Sequence, residues 1–322
     1  MKKILPLLGL TSMLALSGCS QKIKVNPDKQ KYEVGIAQLV THPALDAATA
    51  GFKEKLTSLL KAEGREVNFV ENNASGDSAL CPTITTDLVS KDVDLILANA
   101  TPCLTAAYAA TSYIPILGTS ITDYGAALGI EFKDGKSGNN VSGTSDLAPL
   151  DQQAKEMVTL LPSANTIGIL YCSSEANSKF QVDEITKQLT ALGKTVNARP
   201  FTDSSDLKSV CQKSAAEDDA VYIPTDNTAA SNVSIIDGVF GPAHKPVYAG
   251  ESGICEGAGI ATLSIDYHRL GEVTGEMAFN VLLGKTKIEE YAVQYDKDVK
   301  KLYNKERCDA LGIVVPEGYE EL

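Results

Sequence analysis

Two periodicities alternate along this chain. Short apolar, β-branched runs are each followed by a stretch in which apolar residues recur every three or four positions. The first run is Val34-Gly35-Ile36-Ala37-Gln38-Leu39-Val40. A helix is expected from about Pro43, with Leu45, Phe52, Leu56, Leu59 and Leu60 on one stripe and Gly64 closing it. Strands follow at Val67–Val70, Asp94–Ala98 and Ile114–Leu117. Helices separate them at Asp77–Ser90 and from Thr101-Pro102, where Thr101 reads as the N-cap and the proline as the first turn. After the Gly/Asn/Ser-rich stretch Asp134–Asn140 comes the strand-like Val141–Thr144, read as a first crossing to a second unit. The alternation then restarts. Strands are expected at Thr166–Tyr171, Thr195–Pro200, Ala220–Ile223 and Pro246–Ala249. Helices are expected at Ala176–Leu192, Asp206–Ala216 and from about Asn227. Gly259–Ile265 crosses back, Tyr267–Leu283 is a long helix ended by Gly284, and the tail adds a strand and a short helix near Lys305–Leu311.

Strand–helix alternation of this kind makes parallel sheets covered on both faces. The pattern is therefore α/β, in two similar lobes. Lobe one takes residues 32–140 plus about 266–288, and lobe two takes 141–265 plus about 289–322.

The N-terminus does not fit the alternation. Lys2 and Lys3 precede a mostly apolar stretch, Ile4–Leu16, that is too short to span a bilayer. Leu16-Ser17-Gly18-Cys19 then resembles a bacterial lipobox. Residues 1–18 are expected to be a lipoprotein signal peptide, with Cys19 as the lipid attachment site and residues 19–31 as a polar tether. Removing the leader leaves 27 basic against 41 acidic residues, a net charge of −14. That excess argues against a nucleic-acid partner. Six cysteines besides Cys19 remain, an even number in an exported chain, which favours disulfides. Local pairing is expected: Cys81 with Cys103, Cys172 with Cys211, and Cys255 with Cys308. Neither the cysteines nor the three scattered histidines have metal-ligand spacing, so no metal or cofactor is expected.

Ligands of open parallel sheets bind beyond the carboxyl ends of the strands. The polar residues at those ends include Gln38, Thr41, His42, Ser75, Thr101, Ser120, Thr122 and Asp123 in the first half. The second half contributes Glu175, Asn177, Ser178, Thr225, Asp226, Asn227, Thr228 and Glu251. Several have a plain structural reading too. His42 before a proline caps a helix; Asp226 and Asn227 suit a turn. The expected ligand set is Gln38, Thr41, His42, Ser75, Thr101, Thr122, Asp123, Glu175, Asn177, Ser178, Asp226, Asn227 and Glu251. Asp226 is the expected partner of a ligand ammonium, and Thr101, at a helix N-terminus, of its carboxylate.

The segments Gln38–Asp46, Ala100-Thr101-Pro102, Thr122-Asp123, Tyr171–Ser178 and Pro224–Thr228 resemble the ABC-type tryptophan/tyrosine solute-binding lipoproteins. The likeness runs from about Tyr32 to Pro316. It implies a type I periplasmic-binding fold, two Rossmann-like lobes joined by a three-stranded hinge. It also implies an extracytoplasmic, monomeric receptor that passes an aromatic L-amino acid to an ABC permease. A sensory receptor on the same scaffold, or a binder of another small solute, is the alternative. Catalytic motifs are missing: there is no His-Glu-x-x-His and no Gly-x-Ser-x-Gly. Ser58-Leu59-Leu60-Lys61 falls inside an amphipathic helix, and Gly257–Thr262 precedes a strand rather than opening a helix. An enzyme is not expected.

Overall fold

The computed structural model describes residues 22–296 and 298–322; the leader and Cys19 lie outside the described residues. The chain runs β1 (Lys31–Gln38), α1 (Pro43–Ala62), β2 (Glu66–Asn73), α2 (Cys81–Ser90), β3 (Leu95–Asn99), α3 (Thr101–Ala110), β4 (Ile116–Ile121), α4 (Tyr124–Leu128) and β5 (Val141–Ser145). It continues through α5 (Leu150–Leu160), β6 (Thr166–Cys172), α6 (Ala176–Ala191), β7 (Thr195–Phe201), α7 (Ser204–Glu217), β8 (Ala220–Ile223), α8 (Asn227–Ser231), α9 (Val233–Phe240), β9 (Val247–Ala249), α10 (Ser252–Ala258) and β10 (Ala261–Ser264). It ends with α11 (Tyr267–Leu282), β11 (Gln294–Tyr295), β12 (Lys300–Tyr303), α12 (Lys305–Leu311) and β13 (Glu320–Glu321).

Two sheets form. The first has the order β11-β5-β4-β3-β1-β2, the second β13-β12-β10-β9-β8-β6-β7. Pairing is parallel except between β10 and β12. Each sheet therefore contains the doubly wound order 2-1-3-4-5, once as β2-β1-β3-β4-β5 and once as β7-β6-β8-β9-β10. Its switch points fall between β1 and β3 and between β6 and β8. Both faces of each sheet are covered, so central strands are apolar throughout: all five residues of β3 are buried. Leu95 and Leu97 face Phe52, Leu56, Met277 and Val281 of α1 and α11. Ile96 and Ala98 face Leu88 and Leu104 of α2 and α3.

The sheets place the crossings differently from the sequence pattern. Val141–Ser145 belongs to the first sheet, where Val141 pairs with Ile116 and Ser142 with Leu117. Its hydroxyls are anchored there: Ser142 Oγ donates to Tyr291 O at 2.8 Å, and Thr144 Oγ1 lies 2.8 Å from Thr274 Oγ1. β11 pairs with β5 in the same sheet, so residues 289–295 also lie with the first lobe. The chain crosses between lobes at 146–149 and at 265–266, and a third time between β11 and β12, which belong to different sheets. Residues 22–30 do not hang free either, because Lys24 N donates to Tyr113 O at 2.7 Å and Lys29 Nζ meets Asp94 at 2.5 Å.

α1 and α11 cross backbone to backbone. A Cβ on Gly271 would stand 2.0 Å from Ala48 O, and one on Gly51 2.0 Å from His268 O. Only glycine permits this approach, which ties the helix entering from the hinge to the first helix of lobe one. Among the described residues no helix is long and apolar enough to cross a membrane.

Candidate functional site

The carboxyl ends of the two sheets face each other, and a polar cluster fills the contact. His42, Thr101, Ser120, Thr122 and Asp146 are buried on one side; Glu175, Asn177, Ser178, Gln181, Asp226 and Glu251 on the other. Two hydrogen bonds join the sides: His42 Nε2 to Asn227 Oδ1 at 3.3 Å, and Gln181 Nε2 to Thr122 Oγ1 at 3.3 Å. Beside them a cavity of about 510 Å³ opens between the lobes, lined by Thr41, Ser75 and Pro102 from one and by Glu175, Asn227 and Thr228 from the other.

Many of the expected residues turn out to hold the scaffold of this site. Gln38 is spent on the β1–α1 turn, donating to Val40 O and Asp46 Oδ1 and accepting from Thr49 Oγ1. Asp123 caps α4 through Ala126 N at 2.6 Å. Exposed Thr41 only accepts from Asn73 Nδ2 at 3.2 Å. Asp226 has both oxygens committed: Oδ1 to Ala229 N at the start of α8, Oδ2 to Cys172 N at 2.6 Å and Ser178 Oγ at 2.7 Å. Glu175 covers the same helix end, accepting from Thr228 N and Oγ1 on one oxygen and from Asn227 N and Nδ2 on the other. Glu251 caps α10 through Gly253 N and Ile254 N. Burial, with Glu175 next to it, pushes the Asp226 carboxyl up to about 7. Burial also raises Glu251, opposed by the nearby His42 and by its two backbone donors.

Asp146, absent from the expected set, differs from these three. It is buried, and its oxygens accept two side-chain hydroxyls, Tyr267 at 3.1 Å and Thr122 at 3.3 Å, beside its own backbone amide. An ionised carboxylate has about four acceptor positions, so these leave it spare capacity. Burial pushes it up to about 6, the two hydroxyls pulling the other way and Glu251 adding to the rise. Gln181 reaches it through Thr122, whose Oγ1 accepts from Gln181 Nε2. A signal for Gln181 was present, since Asn177 and Gln181 share a helix face at i,i+4. Asp146 gave a weaker one, as an acid directly after a strand.

Residues at these strand ends also carry polar atoms without partners. His42 Nδ1, Ser120 Oγ and Asn177 Oδ1 are buried and unpaired. The N-terminus of α3 is buried as well and has no side-chain cap. Its N-cap is Ala100 rather than Thr101, because Ala100 N still bonds Thr119 O at 3.2 Å as an extension of β3. Thr101 is thus the first helical residue. Ala100 holds φ +86°, Ser120 +56° and Ser75 +54°, left-handed values that side chains disfavour. These three left-handed residues lie at or next to strand ends on the cleft side of the first sheet. The arrangement offers amide donors on one side, a carboxylate with spare capacity in the middle, and an amide acceptor on the other. Among the described residues there is no metal-ligand cluster.

None of the three expected disulfides is formed, and of the three pairs only Cys81 and Cys103 stand in contact, as thiols. Cys81 Sγ and Cys103 Sγ lie 3.5 Å apart. Cys172 instead meets Ser174 Oγ at 3.0 Å and Thr202 O at 3.3 Å, and Cys308 donates to Ile260 O. All six are free, so the disulfides Cys81–Cys103, Cys172–Cys211 and Cys255–Cys308 are all unformed.

Two lobes of this topology, hinged by three crossings and closing on a polar cleft, define a solute receptor of the type I periplasmic-binding class. Residues 33–320 match the model of the ABC transporter substrate-binding protein family, and the chain belongs to that family. These are solute-binding proteins, not enzymes. The chain is 34% identical to a tyrosine-binding protein of Clostridioides difficile strain R20291, over 96% of this chain and 94% of that one. It is 32% identical to a Streptococcus pneumoniae protein solved in complex with L-Trp, covering 89% of this chain and 99% of that one, with a TM-score of 0.84. A substrate-binding protein with adhesive properties from Clostridium difficile, solved ligand-free and open, is 34% identical over 90% and 99% of the two chains. Its TM-score is 0.68.

Proposed function

We propose that this protein is a lipid-anchored, monomeric receptor that captures an aromatic L-amino acid outside the cytoplasmic membrane and presents it to an ABC permease. The observation that carries the reading is Asp146, a buried carboxylate held by two hydroxyls at the cleft, together with the unpaired buried His42 Nδ1, Ser120 Oγ and Asn177 Oδ1 at the facing strand ends. An α-amino acid needs donors and an anion about 3 Å apart. In this reading the ammonium lies against Asp146 and Asn177 Oδ1, and the carboxylate against the uncapped first turn of α3, with Thr101 and Ser120 as hydroxyl partners. His42, Asn227, Gln181 and Thr122 close the lobes over it. The side chain extends toward the neighbouring cavity, whose volume lies in the range of small-molecule sites. Gln38, Asp123, Glu175, Ser178, Asp226 and Glu251 hold the walls. The tyrosine- and tryptophan-binding relatives support the aromatic class, and the lipobox supports anchoring at Cys19. Native mass spectrometry of the freshly purified protein tests the reading. It is expected to show one retained aromatic amino acid, and a different solute in the cleft would redirect it.

A further inference from the structure

Cys81 is the first residue of α2 and Cys103 lies in the first turn of α3; both side chains are fully buried, and their sulfurs are 3.5 Å apart. A disulfide has its sulfurs about 2.05 Å apart, so closing the gap takes a movement of about 1.5 Å, within the reach of a side-chain adjustment. No other pair among the described cysteines stands in sulfur–sulfur hydrogen-bond contact. From this geometry we propose that Cys81 and Cys103 are a redox couple, oxidised outside the cytoplasm to a disulfide that staples the starts of α2 and α3.

The two thiols differ in a way that orders the steps. Cys81 is held below the usual thiol range by the hydrogen bond from Cys103, against the opposing effect of burial. Cys103 is pushed up by its hydrogen bond to Cys81 and by burial, and stays protonated. The exposed turn Gly76–Leu80 lies directly before Cys81, so opening of that turn admits a reagent. A small-molecule disulfide RS–SR is the oxidant. The Cys81 thiolate attacks one of its sulfurs, forming a mixed disulfide and releasing RS⁻. Cys103 then loses its proton, attacks Cys81 Sγ and releases the second RS⁻. The two protons from the cysteines end on the two released thiols.

The staple bears on the cleft. Ser75–Ser78 precede Cys81 and Pro102 precedes Cys103, and all of these line the cavity between the lobes. Oxidation joins the two cleft-lining segments of lobe one, limiting their motion when the lobes open. The proposal needs the extracytoplasmic setting but not the identity of the amino acid.

The test compares the mature protein with a Cys81→Ala/Cys103→Ala variant, each equilibrated with millimolar oxidised glutathione and then denatured without reductant. Equal thiol counts in the two, with a linked peptide pair containing Cys81 and Cys103 in the wild type, are expected. Reduction is expected to lower the wild-type melting temperature by roughly 5 °C or more and to leave the variant unmoved. Two more thiols in the wild type than in the variant, or glutathione retained on one cysteine, overturns the proposal. If the variant does not fold, peptide mapping of the wild type decides it alone.

Discussion

Replacing Asp146 by Asn keeps the shape of the side chain and removes its charge. The carboxylate is only 3% exposed and each of its oxygens accepts one hydroxyl, so the amide keeps one contact by accepting on its oxygen and the other only by donating its NH2 to a hydroxyl turned to accept. Losing an ion pair in a closed, water-poor site costs about 2–5 kcal/mol, or about 30-fold or more in affinity. The pH dependence gives a second reading. In the empty cleft Asp146 is pushed up to about 6. A bound ammonium favours its ionised form and lowers that value. Below pH 6 the group must therefore give up a proton before the ligand binds, and affinity falls by up to tenfold per pH unit. Asp226 titrates nearby at about 7, but its oxygens face backbone amides and Ser178. It contributes little ligand-linked slope. Calorimetry of L-tyrosine and L-tryptophan between pH 5 and 8 measures both effects. An Asp146→Asn protein within threefold of wild type, with the same pH slope, would refute this role for Asp146.

Other perturbations follow from the same geometry. Asp146 and Asp226 have folded-state values raised above those of unfolded aspartate, so the stability they contribute is present below about pH 4 and lost as pH rises through 6 to 7. The ligand-free protein is expected to melt several degrees higher at pH 5.5 than at pH 8, and a flat or opposite trend in scanning calorimetry would contradict the burial argument. Gly271→Ala puts a Cβ against Ala48 O and is expected to destabilise lobe one by about 2 kcal/mol or more in urea denaturation. Gln181→Ala removes a hydrogen bond across the cleft, so small-angle scattering of the ligand-free protein should report a larger radius of gyration than wild type. Cys19→Ala is expected to release the protein from washed membranes; retention there would count against lipid attachment.

Much of this architecture was legible in the pattern of apolar residues. The strand and helix bounds along both lobes fall within a few residues of the expected ones, because a doubly covered sheet demands continuous apolar strands such as Leu95–Asn99. Val141–Ser145 shows the limit. Its residues read as a strand, but nothing local says which sheet it joins; Ile116 and Tyr291 decide that. The site was legible as an edge and not as a set of roles. The strand-end rule located Asp226, Glu175 and Glu251, yet a carboxylate that binds a ligand and one that caps a neighbouring helix look the same in sequence. Asp146 directly follows β5, and the pattern of that strand reads as the crossing itself, which hides the acid at its end. At Thr101 the capping preference for threonine over alanine misled, since the Ala100 amide remains tied to Thr119 and the turn is strained there instead.

Isothermal calorimetry of the wild-type protein, stripped of any retained ligand, with L-tryptophan, L-tyrosine, L-phenylalanine and L-leucine addresses the central claim most directly. One-to-one binding of at least one aromatic amino acid, far tighter than L-leucine, is the expected result. No heat with any of the three aromatic amino acids would contradict it.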